Sequence, residues 1–100
     1  MTIKVVQGDD FNLKCFLPDK DGFAVDSASF YVVSGNPYII PLKLTDEDKI
    51  WELKIPADMT SNMFVGTFRC YMRLVYENTI VEINTDIDNI EILYKYNKAN

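Results

Sequence analysis

One hundred residues, 48% hydrophobic and 25% charged with 4 Gly and 4 Pro, have the composition of a single globular core rather than a disordered or low-complexity chain. The net charge of -5, with 10 Lys and Arg that form no basic patch, argues against nucleic acid as a partner. No apolar run approaches the ~20 residues that span a bilayer, and "MTIKVVQGDD" lacks the apolar stretch of a signal peptide, so no membrane association is expected and the cytoplasm is the expected place of synthesis.

Apolar residues recur mostly at every second position and are rich in Ile, Val, Phe and Tyr, the pattern of half-buried strands. Ile3 and Val5 open a first strand, which Gly8-Asp9-Asp10 turns. Phe11, Leu13, Cys15 and Leu17 then alternate along a second, the odd-numbered set facing inward. "PDKDGFAVD", from Pro18 to Asp26, ends that strand with a tight turn at Asp21-Gly22. Ala28, Phe30 and Val32 form the inward face of a third, closed by Ser34-Gly35-Asn36-Pro37. Tyr38 to Leu44 reads as a fourth, and Pro41 inside it marks an edge because proline cannot donate to a ladder. After the polar turn "TDEDK", Trp51, Leu53 and Ile55 share one face, and Pro56 to Asn62 holds one helical turn. Gly66 to Glu77 and Ile80 to Ile87 make a long hairpin across Asn78-Thr79, with Phe68, Cys70, Met72, Leu74 and Tyr76 on one face. Ile90 and Ile92 have the parity opposite to Val81, Ile83 and Ile87, which calls for a bulge near Asp88-Asn89. The expected fold is all-β, an immunoglobulin-like antiparallel β-sandwich of about seven strands. It forms a single domain over residues 1–94, followed by a polar C-terminal tail over residues 95–100.

The chain has no histidine, which removes the commonest general base and most zinc and iron sites. Asp9-Asp10, Asp46-Glu47-Asp48 and the pair Asp86 and Asp88 all fall in expected turns, where aspartate caps backbone amides. "DKDG" at Asp19 to Gly22 fails as a calcium loop, because Phe30 stands where a bidentate glutamate is needed. No catalytic, metal or cofactor-binding residue is therefore expected, and no cofactor. Cys15 and Cys70 occupy inward positions that match the inter-sheet disulfide of antibody domains, yet a reducing compartment favours two small buried hydrophobes over a bond. Cys15→Ser is expected to cost roughly 1 to 3 kcal/mol if that thiol is buried.

Most aromatic rings (Phe11, Phe30, Trp51, Phe68, Tyr76) alternate into the core, whereas Tyr31, Tyr38 and Tyr71 are candidates for the outside. Tyr38-Ile39-Ile40, on the proline-marked edge, is the one place where apolar residues point both ways. Such an edge is either capped by its own chain or used by a partner, so Tyr38, Ile39 and Ile40 form the candidate partner-binding edge. Tyr31 and Tyr71 are the candidate exposed aromatics.

Gly8-Asp9 before "DFNLKCFL", Asp21-Gly22-Phe23-Ala24-Val25-Asp26, Phe30-Tyr31-Val32-Val33, "WELKIPADMT" from Trp51 to Thr60 and Gly66-Thr67-Phe68 together resemble a bacteriophage pattern. That pattern belongs to the immunoglobulin-like N-terminal domain of phage baseplate upper proteins and related small virion modules. Phe68 stands where the family has tyrosine, and Asp86-Ile87-Asp88-Asn89 where it tends to carry a glycine. The resemblance implies a non-enzymatic virion structural or accessory protein, a head decoration or a tail or baseplate component. Such a protein is made in the host cytoplasm and acts in the virion, through contacts with capsid or tail proteins or as a homo-oligomer. A copy running from Met1 to "YKYNKAN" reads as a small accessory protein, and the family supplies no catalytic residues. Two other readings compete. A carbohydrate-binding adhesion module needs two or more exposed aromatics in one plane. A small phage inhibitor of a host defence protein needs the 15 acidic residues on one face, against their even spread.

Overall fold

The computed structural model describes residues 1–35, 37–84 and 87–95. Asn36 of the expected third turn, Asp86 of the acidic pair and the tail beyond Lys95 lie outside the described residues.

Two-residue periodicity sorts the side chains as expected. β1 (Thr2–Val6) buries Ile3 and Val5, and β2 (Phe11–Phe16) turns its odd-numbered residues inward. β3 (Val25–Val32) buries Ala28, Phe30 and Val32, and β6 (Ile50–Ile55) buries Trp51, Leu53 and Ile55. β7 (Gly66–Tyr76) buries Cys70, Met72, Leu74 and Tyr76, with Phe68 half-buried at its start. The remaining elements are β4 (Tyr38–Pro41), β5 (Lys43–Leu44), α1 (Ala57–Ser61), β8 (Ile80–Ile83) and β9 (Asn89–Leu93).

These strands form two sheets. One runs β1-β9-β7-β3-β4, with β8 also paired to β7, and the other runs β2-β6-β5. The order β2-β6-β5 facing β9-β7-β3 makes the two layers of an all-β sandwich. The inner faces share one core, in which Phe30, Leu53, Ile55, Met72, Ile90 and Ile92 are almost fully enclosed. The ladders are antiparallel except for β1 against β9, which run parallel. A parallel neighbour needs no tight turn, and nearly the whole domain lies between these two strands.

The stretch from Tyr38 to Leu44 is not one strand. β4 pairs with β3 in the larger sheet and β5 with β6 in the smaller. Between them buried Leu42 donates its amide to Ala28 O at 2.9 Å, and the chain crosses from sheet to sheet there. Because bonded pairs recur every second residue, the Leu42–Ala28 bond turns the main chain of Ile39 and Pro41 away from β3. Proline thus sits where no ladder bond is lost.

The late hairpin closes over Glu77-Asn78, one residue earlier than expected, with Tyr76 N donating to Thr79 O at 2.8 Å. Its returning strand is broken. Ile83 faces Met72 and Asn89 faces Arg69, so the returning chain spends six residues where β7 spends three. The three extra residues are an odd number, which lets Val81 and Ile83 point inward on one side of the bulge and Ile90 and Ile92 on the other. Within the bulge, Cys70 N donates to Asp88 O at 2.9 Å and the Cys70 thiol to Ile87 O at 3.4 Å.

Two turns hold their glycines for a physical reason. Asp21 (φ 53) and Gly22 (φ 82) are both left-handed, and Lys20 and Phe23 exchange two 2.9 Å bonds around them, as a mirror-image hairpin turn requires. Gly8 (φ 87) turns β1 into β2, and its amide donates to Thr60 Oγ1 at 3.0 Å. Thr60, fully buried on α1, donates a hydrogen bond of its own to Asp9 O at 2.6 Å. Gln7 Nε2 adds a bond to Met63 O at 2.8 Å, so the short helix is strapped to the first turn. Asp10 is exposed and Asp9 half-buried.

Candidate functional site

The outer face of the larger sheet collects what the sequence placed outside. Register sets Ile39 of β4 beside Tyr31 of β3, and Tyr31 opposite Tyr71 of β7. The two tyrosine rings stack with centroids 4.9 Å apart and planes within 9°. In the next row Arg73 stands opposite Ser29 on one side and Glu82 on the other. Its guanidinium lies 4.9 Å from the centre of the Tyr31 ring, and Nη2 bonds Glu82 Oε1 at 2.7 Å. That bond is the main reason the guanidinium holds its proton more firmly than usual. Val33 and Arg69 extend the patch, joined through a 2.8 Å bond from Val33 N to Arg69 O. Ile39 is 50% exposed and Val33 44%.

The edge triplet Tyr38, Ile39 and Ile40 is split by the pleat. Ile39 alone joins this surface. Ile40 is buried and cannot meet a partner through its side chain. Tyr38 turns to the other face, packs against the core and donates its hydroxyl to Asn62 O at 3.4 Å. Alternation along a strand forces this outcome: the residues on either side of an outward isoleucine must point in. Tyr31 and Tyr71, by contrast, stand together. They are stacked on one another rather than laid side by side in one plane, so each gives one face to its neighbour.

The thiols do not meet. Cys15 lies opposite Trp51 in the smaller sheet and Cys70 opposite Val32 in the larger, and both are free. Burial raises both thiol pKa values, that of Cys70 to about 11 with the nearby Asp88 carboxylate adding to it, so neither offers an appreciable thiolate at neutral pH. Cys15 is only half-buried, on a strand that has no neighbour on its outer side among the described residues. The cost of Cys15→Ser falls accordingly, to less than about 1 kcal/mol in denaturant unfolding, since the new hydroxyl reaches water.

Among the described residues no three His, Cys, Asp or Glu side chains form a metal-holding group. No helix there is long and apolar enough to cross a membrane. Sequence reasoning missed Thr60 and the pairing of Tyr31 with Tyr71. It also missed Arg69 and Arg73, whose outward parity was visible but whose partners were not. No protein-family model matches the chain, and no curated protein matches it in sequence.

Proposed function

We propose that this chain is a non-enzymatic bacteriophage virion accessory protein that binds a capsid or tail protein through the outer face of its larger sheet. The observation that carries the binding role is the row Ile39, Tyr31 and Tyr71, flanked by Val33, Arg69 and Arg73. Tyrosine and arginine are the residue types that interfaces concentrate, because a ring or guanidinium plane offers a large contact area and a polar end at little entropic cost. An apolar and aromatic cluster with a charged border is how such surfaces look before they are covered. The virion location rests on the family resemblance of the strand and turn motifs.

Mass spectrometry of purified virions is the direct test, and absence of the chain from them would overturn the reading. Where it is present, Tyr71→Ala should reduce incorporation by about tenfold or more while leaving the fold intact.

A further inference from the structure

We infer that the sandwich carries a second binding site, independent of the outer face: a cleft between β2 and β8 that accepts one extended strand of another protein. Among the described residues the sheets end in β1 and β4 and in β2 and β5, and two of those ends are blunted. β4 has Pro41 at an outward-facing position, and β5 is two residues long. β2 is different. Leu17 N donates to Lys49 O at 2.9 Å, and bonded pairs recur every second residue along an antiparallel ladder. Cys15, Leu13 and Phe11 therefore spend their main-chain groups on β6. Asn12, Lys14 and Phe16 turn theirs to the side where the sheet has no further strand among the described residues. The Lys14 ammonium reaches Glu47 at 3.6 Å, so this edge lysine is drawn towards the β5–β6 turn.

Beside that edge the two sheets do not close. A cleft of about 500 Å³ opens between them, walled by half-buried Leu13, Cys15 and Ile83 and ending on Phe30, Leu53 and Met72, which are themselves sealed from water. Its size lies within the ~300–1,000 Å³ typical of binding clefts. Across the cleft, β8 pairs among the described residues with β7 alone, so the slot they leave is bordered by two open strand edges.

These features define the occupant. A row of unspent N–H and C=O groups is satisfied by another backbone in extended form, and apolar walls take every second side chain of that backbone. The occupant is thus an extended segment with aliphatic residues at alternate positions, added to β2 as a fourth strand of the smaller sheet. β2 of a second copy fits poorly, because its inward side chains already fill its own core and leave the cleft empty. A compact apolar molecule would fill the cleft and leave the main-chain groups of Asn12, Lys14 and Phe16 unused.

The test uses the full chain and a blocked peptide of about nine residues in which valine or isoleucine alternates with threonine between terminal lysines. A peptide of the same composition without alternation is the control. Binding followed by fluorescence anisotropy should favour the alternating peptide. Amide exchange at Asn12, Lys14 and Phe16 should slow by about tenfold or more on binding, with no such change at Tyr31 or Tyr71. Lys14→Pro removes a donor that β6 does not use and should weaken binding by about tenfold, whereas Lys14→Ala should not. Equal binding of both peptides, protection confined elsewhere, or dimerisation through β2 in sedimentation would each overturn the proposal. If Lys14→Pro fails to fold, the exchange pattern of the unaltered chain still decides.

Discussion

Replacing Thr60 with valine should lower stability by about 2 kcal/mol, a large share of the ~5–15 kcal/mol that holds a domain together. The two side chains have nearly the same shape, so packing changes little and the loss is polar. Thr60 is fully buried, and its one hydroxyl serves three backbone groups, accepting from Gly8 N at 3.0 Å and donating to Asp9 O at 2.6 Å and, at a longer 3.1 Å, to Ala57 O. Valine would strip Gly8 N and Asp9 O of that partner, the one in an exposed turn and the other half-buried. Gly8 holds a left-handed conformation that few other residues adopt, so the turn cannot relax easily to find new bonds. Thr60→Ser keeps the hydroxyl and loses one methyl group, which should cost about 1 kcal/mol. Denaturant unfolding of the pair checks the argument, and a serine variant less stable than the valine variant would contradict it.

How much of this was legible in the sequence depends on the range over which each feature is written. Strand faces are local. A two-residue period over Phe68 to Tyr76 states which side chains go in, and the parity change between Ile87 and Ile90 announced a bulge that the ladder then showed. Asp21-Gly22 likewise specifies its turn from two residues. Sheet membership is not local: the run from Tyr38 to Leu44 alternates well enough, but nothing in it says that Leu42 leaves one sheet for the other. Thr60 sits in the polar run "PADMTSN" with no periodic signal, and its partners in the first turn lie 51 and 52 residues away. Parity put Tyr31 and Tyr71 outside, but only the β3–β7 register makes them neighbours. The bare edge of β2 was beyond reach for a related reason, since an edge is defined by the strand that is missing beside it.

Phe30→Ala should be the most damaging single truncation in the core, at about 3 to 5 kcal/mol. Phe30 is 1% exposed on the central strand β3, opposite Ile40 on one side and Met72 on the other. Removing its ring takes away contacts to both neighbours and opens a void that backbones fixed in two ladders cannot collapse into. Leu13→Ala provides the comparison. Leu13 also lines the cleft, but at its rim and half-buried, so its truncation should cost only about 1 kcal/mol, half of what full burial of a leucine is worth. The ratio bears on the strand-acceptor cleft as well as on stability. A cleft with an open rim above a sealed floor loses much stability when the floor is truncated and little when the rim is. If Leu13→Ala destabilised as much as Phe30→Ala, the inner face of β2 would be sealed in solution and an added strand would have nowhere to place its side chains. If the difference holds, filling the cleft should stabilise the domain: the alternating peptide should raise the unfolding midpoint of the wild type, as any ligand of the folded state alone must.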